Sequence, residues 1–487
     1  MKLQPVIGIE IHIELKTKTK MFSNSPVTFA SIPIPNSQVN EIDLGYPGSL
    51  PSINKQAVVL AIRACQALNM KINPILSFDR KNYFYPDLPK GYQITQQNNP
   101  MGSNGKLAIT TNNVQQDILI TRLHLEEDTA KQIHLDNITL LDYNRAGIGL
   151  IEIVSEPVIY DVETAINYIE TLRKTLLHLG VSNAKMSEGS FRCDINISLR
   201  PIESKDFFKR VEVKNLNSLN NVKRAIEFEI KRQSNLINQG MPLKGNETRR
   251  FDEKTKTTIL MRSKESTVDY KYFPEPNIVP IILEQHWIEE IINTSPESYP
   301  QKQIRYVETY GLHINEVNVL LQDIELTNFF EKTIEHTKYY RLVLNMLIGD
   351  ISAYLKQKDA SLLDTQLTPI NLAQMVNILE RKEISQRQAK TLLLHLLENN
   401  MSVVQSIKQL NLQQINDEKI IRSLIKPFIL ENLQILKDYP SRPERVLKFY
   451  MGHLMKVTKG QVNPEIGQRI IEEIIVENGP VQNSVSR

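Results

Sequence analysis

Val6–Leu15 reads VIGIEIHIEL. Ile7, Ile9, Ile11, Ile13 and Leu15 fall on one side of an extended chain, and Gly8, Glu10, His12 and Glu14 on the other, because successive side chains of a strand point to opposite faces. The alternation recurs downstream. In Ile118–Glu127, Arg122, His124 and Glu126 oppose Leu119, Leu123 and Leu125. Glu152 sits between Ile151 and Ile153. Arg192, Asp194, Asn196 and Ser198 oppose Cys193, Ile195, Ile197 and Leu199. Arg210, Glu212 and Lys214 oppose Val211 and Val213. These segments predict an antiparallel sheet with one apolar and one charged face.

A solvated outer face is the ordinary reason for polar residues on a strand. Here the polar residues are specific in kind: carboxylates, a histidine and several arginines. Carboxylates gathered on one face repel one another unless a cation sits among them. A hard divalent cation such as Mg2+, with its preference for oxygen ligands, is the natural occupant. Glu10 and His12 are about 7 Å apart along a strand, close enough to approach one ion or two neighbouring ions.

Away from these strands the text changes. Of the 24 prolines, 18 lie in the first 300 residues. Beyond about Pro280, long stretches follow the 3.6-residue helical period: Tyr339–Gln357, Pro369–Glu380, Ser385–Glu398 and Asp417–Leu436. The fold class expected is therefore α+β, with an antiparallel-sheet domain over 1–293, an all-α helical domain over 294–400 and a small all-α tail over 401–487.

The tail has its own grammar. Ser441 and Glu444 make an S-x-x-E capping box with Pro443 in the first turn, and Gly460 is the expected stop. Val446, Leu447, Tyr450, Leu454 and Val457 share the apolar face. Arg442, Arg445, Lys448, Lys456 and Lys459 gather opposite them with Gly452, a one-signed stripe suited to phosphate backbones. Asn463 and Pro464 open a further helix.

The whole chain has 58 basic and 55 acidic residues, a net charge of +3, which excludes a uniformly basic nucleic-acid coat and leaves only local patches. One is Phe78–Gln97, where Arg80, Lys81 and Lys90 interleave with Tyr83, Phe84, Tyr85 and Tyr92. Cations among aromatics bind single-stranded RNA ends, and equally they pack as an ordinary turn-rich core. Another is Thr248–Pro276, with Arg249, Arg250, Arg262, Lys264 and Lys271.

Absences narrow the field. Gly102–Leu107 lacks the spacing and the Ser or Thr of a P-loop, and no G-x-G-x-x-G or G-x-S-x-G occurs. Cys65 lies in a helical stretch and Cys193 on an apolar strand face, so both read as structural, and two cysteines exclude a four-cysteine zinc site. No segment approaches the ~20 apolar residues of a membrane span and none reads as a secretory leader. The expectation is a cytoplasmic protein without a membrane partner.

Taken together, VIGIEIHIELKTKTKMFS, FDRKNYFYPDLPKGYQITQ, TRLHLEEDTAK, LIEIVSEP, EGSFRCDINISLRP, VEVKNLNSLNNVKRAIEFE, YFPEPNIVP and FYMGHLMKVTKGQVNP resemble the B-subunit family of the GatCAB aspartyl/glutamyl-tRNA amidotransferases (the GatB/GatE family). The resemblance runs in order along nearly the whole chain. It implies a cradle domain holding a kinase and transamidase site, a helical domain and a YqeY-like tail that bind the tRNA body. It implies ATP and Mg2+ as cofactors; the cysteine-based zinc sites of some relatives cannot be built from Cys65 and Cys193, so no zinc is expected. It implies a heterotrimer with a glutaminase A subunit and a C subunit, acting on Glu-tRNA(Gln) or Asp-tRNA(Asn). By matching motifs, the metal ligands would be Glu10, His12, Glu126, Glu152, Asp194 and Glu212, the first four also catalytic. Arg192, Arg210 and Lys214 would balance phosphate charge. Arg80, Lys81, Tyr83 and Lys90 would meet the nucleotide or the CCA end. Gly149, Lys271 and Asn277 depart from the usual Pro, Arg and Asp of the family. Two other readings remain open: a tRNA scaffold with a structural ion, and a small-molecule carboxylate–amine ligase, which has no use for a basic tail.

Overall fold

The strand Leu3–Glu14 lies at the centre of a nine-stranded sheet, paired antiparallel with Phe191–Pro201 on one side and Gly149–Ser155 on the other. Beyond Gly149–Ser155 come Val114–Glu127, Gly102–Thr111 and the short Lys71–Ile72. Beyond Phe191–Pro201 come Val211–Leu216, Asn246–Asp252 and Thr257–Lys264. This computed structural model describes residues 2–28, 34–112, 114–204, 206–264, 269–412, 415, 417–458 and 460–478.

The sheet departs from the expected all-antiparallel form at one pair. Val211–Leu216 and Asn246–Asp252 run parallel. A parallel pair needs a crossover, and the helix Leu219–Asn238 supplies it.

Alternation explains which face is covered. Ile7, Ile9, Ile11 and Ile13 are all but fully buried, in one apolar cluster with side chains of the helices Lys55–Ala67, Val162–His178 and Leu219–Asn238. Each helix opens on a capping side chain: those of Asn54, Asp161 and Ser218 accept backbone N–H groups of the first turn. With three helices on the isoleucine face, Glu10 and His12 point the other way. A small three-stranded sheet orders Phe273–Pro274, Asp79–Asn82 and Tyr92–Thr95.

The chain divides into two compact units between Lys302 and Gln303. The second unit is helical, and its elements sit close to the expected ones: Pro369–Glu380, Gln386–Glu398 capped by Ser385, and Glu418–Glu431 followed by a 3-10 turn. Tyr340–Lys358 is helical throughout but carries a π turn at Leu347–Ile351. Ile421, Ile425, Tyr450, Leu454, Ile471 and Ile475 centre a separate apolar cluster in the tail.

Two tail expectations are corrected. Ser441 does not cap the helix: Pro443–Val457 begins after Arg442, and Ser441 Oγ instead donates to the Asp438 carbonyl in the preceding turn. Val457 is 49% exposed, because the buried side of the last turn runs through Leu454 and on to Thr458 instead. Gly460 does take a left-handed conformation, its N–H bonding the Met455 carbonyl at 2.8 Å. Asn463 Oδ1 accepts from Glu465 N at the start of Pro464–Asn478. No helix of the described residues is long and apolar enough to cross a membrane.

Candidate active site and metal centre

Strand register assembles the charged face. Arg192, His12, Glu152 and His124 are successive cross-strand neighbours on four adjacent strands. Asp194, Glu10, Val154 and Arg122 form the adjoining row. His12 Nε2 lies 3.1 Å from Glu152, 3.5 Å from Glu126 and 3.8 Å from Glu10. His124 Nε2 lies 3.5 Å from Glu126 and 3.7 Å from Glu152. Two groups of potential ligands result, Glu10–His12–Glu152 and His124–Glu126–Glu152, the ligand atoms of each within 4.8 Å of one another. Glu152 belongs to both.

The electrostatics follow from burial opposed by charge. Burial and the Glu152 carboxylate push Glu10 above the usual carboxylate range. Burial would also raise Glu152, but His124 and His12 hold it well below that range. Burial would lower His12, yet the Glu152 hydrogen bond and the Glu126, Glu152 and Glu10 charges lift it to about 9.

The donor set fits a divalent ion. Three carboxylates offer the oxygens that Mg2+ and Mn2+ prefer, and two imidazoles add nitrogens, which Mg2+ takes less readily. Among the described residues, the buried Nδ1 of His124 has no hydrogen-bond partner. His124 was not among the site residues expected from sequence, although it shares the polar side of its strand with Glu126. Its burial, 3% exposed, sets it apart from an ordinary outer-face histidine.

The remaining expected residues divide by what they touch. For Lys81, burial would lower its pKa, but the charges of Glu126 and Glu152, with Tyr272 and Tyr270, raise it. Its Nζ lies 5.0 Å from the Tyr270 ring and 5.9 Å from the Tyr83 ring. Lys90 is held by both oxygens of Glu127, at 2.5 and 2.6 Å. Arg192 donates to Asp128 at 2.8 Å. Arg80 forms a two-point pair with Glu275, at 2.5 and 3.0 Å, and lies 4.0 Å over the Tyr92 ring. Asp194 and Glu212 fall outside both ligand groups, and Lys214 Nζ lies 2.5 and 3.0 Å from their carboxylates.

Arg210 stands further along the same face. With Gly8, Asn196, Ser198, Phe207 and Phe208 it lines a cavity of about 250 Å³. Gly8 is two residues from Glu10, and Asn196 two from Asp194, so the cavity floor continues the strands of the cluster. Gly8 helps to form that floor because it has no side chain to fill it. In the tail, Arg442, Arg445, Lys448 and Lys456 are exposed on or beside Pro443–Val457. Lys459 lies outside the described residues.

A sheet with helices on one face and a carboxylate–histidine cluster on the other places two groups of potential metal ligands beside a pocket. Comparison with known families matches residues 5–289 to the GatB/GatE catalytic domain and residues 328–475 to a GatB domain. The chain belongs to the GatB/GatE family. It is 52% identical over 472 residues, 96% of this chain and 98% of the relative, to the B subunit of the aspartyl/glutamyl-tRNA(Asn/Gln) amidotransferase of Mesoplasma florum. The protein of the same name from Mycoplasma capricolum is 51% identical over 475 residues, 97% and 98% of the two chains. That of Geobacillus thermodenitrificans is 44% identical over 476 residues, 98% and 99% of the two chains.

Proposed function

We propose that this chain is the B subunit of a tRNA-dependent amidotransferase, and that the charged sheet face is its active site. In this reading it works in the cytoplasm with a glutaminase A subunit and a C subunit, on Glu-tRNA(Gln), Asp-tRNA(Asn) or both. A side-chain carboxylate oxygen of the mischarged amino acid attacks the γ-phosphorus of ATP, releasing ADP and leaving an acyl phosphate. Ammonia from glutamine then attacks the acyl carbon, and phosphate leaves with the bonding electrons. The observation that carries this reading is the pair of ligand groups sharing Glu152.

Glu10, Glu126 and Glu152, with His12 and His124, would hold Mg2+. The bound ion would neutralise charge building on the phosphate oxygens. Lys81, within the field of the same carboxylates, would hold the transferred phosphoryl group. The cavity beside Gly8 and Arg210 would take the adenosine, its phenylalanine walls against the base. Asp194, Glu212 and Lys214 would act as a balanced group at the junction of pocket and cluster. Arg442, Arg445, Lys448, Lys456 and Lys459 would bind tRNA phosphates. The chain would divide functionally into a cradle over 1–293, a helical domain over 294–400 and a tail over 401–487, the tail having its own apolar cluster.

The test is amidation in vitro with the A and C subunits, offered each mischarged tRNA in turn. Glu10→Ala and Glu152→Ala are expected to abolish ADP formation and amidation while tRNA affinity stays near that of the parent. Unchanged turnover would move the chemistry elsewhere and leave this chain a scaffold. The small-molecule ligase reading would require amidation of a free amino acid without tRNA.

A further inference from the structure

The tail helix carries a second pattern besides its charges. Arg445, Phe449, Gly452 and Lys456 follow one another at intervals of four, three and four residues, so they line up along one side of Pro443–Val457. Arg442 stands at the start of that side. Phe449, in the middle of this basic line, is 42% exposed. Its ring is nonetheless held in place. Phe428, from the helix Glu418–Glu431, stacks against it with centroids 5.6 Å apart and planes at 24°. Phe428 in turn lies flat on His453, at 3.4 Å and 5°. Tyr450 meets Phe449 edge-on at 5.4 Å. One turn further on, a Cβ added at Gly452 would meet no heavy atom within 4 Å, so the surface beyond the ring is open.

The cations here also differ from their neighbours. Arg422 is paired with Glu473 and Glu477, and Arg469 with Glu418. Among the described residues no acidic side chain pairs with Arg442, Arg445 or Lys456. Paired arginines tie the tail helices together, whereas these three leave their charge available to an outside anion. An exposed aromatic ring, braced from behind and flanked by unpaired cations, offers the two contacts that a single-stranded nucleotide needs: a face for the base and charge for its phosphates. A wholly double-helical partner would use the charge and leave the ring idle.

We propose that Phe449 is a stacking platform for an unpaired base of an RNA, with Arg445 and Lys456 on the phosphates either side of it and the backbone passing over Gly452. This deepens the tRNA-binding reading of the tail and rests on it. The ligand class is a loop or unstacked nucleotide, not the tRNA helix.

The full-length chain is titrated with tRNA(Gln) and tRNA(Asn) transcripts carrying 2-aminopurine at single loop positions, and with a perfect RNA duplex of equal length. One loop position is expected to change its fluorescence on binding. Phe449→Ala should weaken transcript binding roughly 5- to 100-fold, leave duplex binding and the salt slope unchanged, and abolish the fluorescence change. Phe449→Tyr should restore all three. Lys456→Glu should weaken both RNAs and flatten the salt slope. If Phe449→Ala leaves transcript affinity unchanged while Lys456→Glu lowers it, the platform is overturned and the tRNA-binding tail survives. Equal weakening on transcript and duplex also overturns it, marking the ring as structural. If neither variant changes affinity, the tail does not bind RNA, and a protein partner for the patch takes its place.

Discussion

His12 and Glu152 face each other directly across paired strands, Nε2 to carboxylate 3.1 Å, with Glu152 in turn opposite His124. One carboxylate thus lies between two imidazoles and joins two ligand groups. Glu152→Gln keeps the shape and removes the charge both groups share. Metal-assisted charge stabilisation is worth several kcal/mol, so ADP formation should fall about 100-fold or more. Mn2+ titration followed by electron paramagnetic resonance should show a matching loss of tight cation binding in the isolated chain. Undiminished cation affinity would remove Glu152 from the metal set.

Arg80 read from sequence as a phosphate ligand, but its guanidinium is committed to Glu275, whose side chain is 0% exposed. Arg80→Ala leaves that carboxylate buried and unpaired, which costs about 3–5 kcal/mol. The expected result is a lowered urea midpoint for the N-terminal unit. Arg80→Lys should recover only part of it, since an ammonium cannot reproduce the two-point pair. A normal midpoint with a raised KM for ATP would restore the phosphate role.

Lys20 and Asp43 are another buried pair, with side chains 0% and 2% exposed. Asp43 also accepts from Ser23 and Ser25, each at 2.6 Å. Lys20→Met strands a hydrogen-bonded carboxylate without its cation, and a loss of about 3–5 kcal/mol is expected. Adding Asp43→Asn should return much of that loss, since the amide needs no counter-charge. Equilibrium denaturation of the single and double variants checks the coupling; additive losses would contradict it.

Gly8 opens the cavity that the proposed adenosine would occupy. A Cβ there approaches no atom closer than 3.8 Å, so the backbone tolerates a side chain. Gly8→Val should fold normally and partly fill the 250 Å³ space. The KM for ATP should rise roughly tenfold or more, as expected when about 1.4 kcal/mol of ligand contact is lost, with tRNA affinity unchanged. An unaltered KM would place the nucleotide elsewhere.

The sheet face was legible because a strand has a fixed period of two. Once Ile7, Ile9, Ile11 and Ile13 are inside, Glu10 and His12 have one side left. The roles of individual cations were not legible, because their partners are remote in the chain. Arg80 meets Glu275 at a separation of 195 residues, and Arg192 meets Asp128 at 64. Local text that pairs arginine with tyrosine cannot reveal a carboxylate that far away. His124 escaped for a related reason: burial on a polar face arises from what packs over the sheet, not from the strand itself. The S-x-x-E of Ser441 was misleading because Pro443 sets the helix start one residue later, leaving the serine to the turn before it. The parallel pair was missed because Asn246–Asp252, with Arg249 and Arg250, lacks the clean alternation that marked the other strands.

The central position of Leu3–Glu14 has a consequence during synthesis. Its two neighbours, Gly149–Ser155 and Phe191–Pro201, are made much later than the strand itself. At elongation rates of about 5–20 residues per second, the first strand waits roughly 10–40 s for its second partner. During that interval an isoleucine-rich segment with both edges unpaired leaves the ribosome ready to join another nascent copy. The charges on alternate residues, Glu10 and Glu14 above all, then act as guards against stacking with a twin, long before they have any ion to hold.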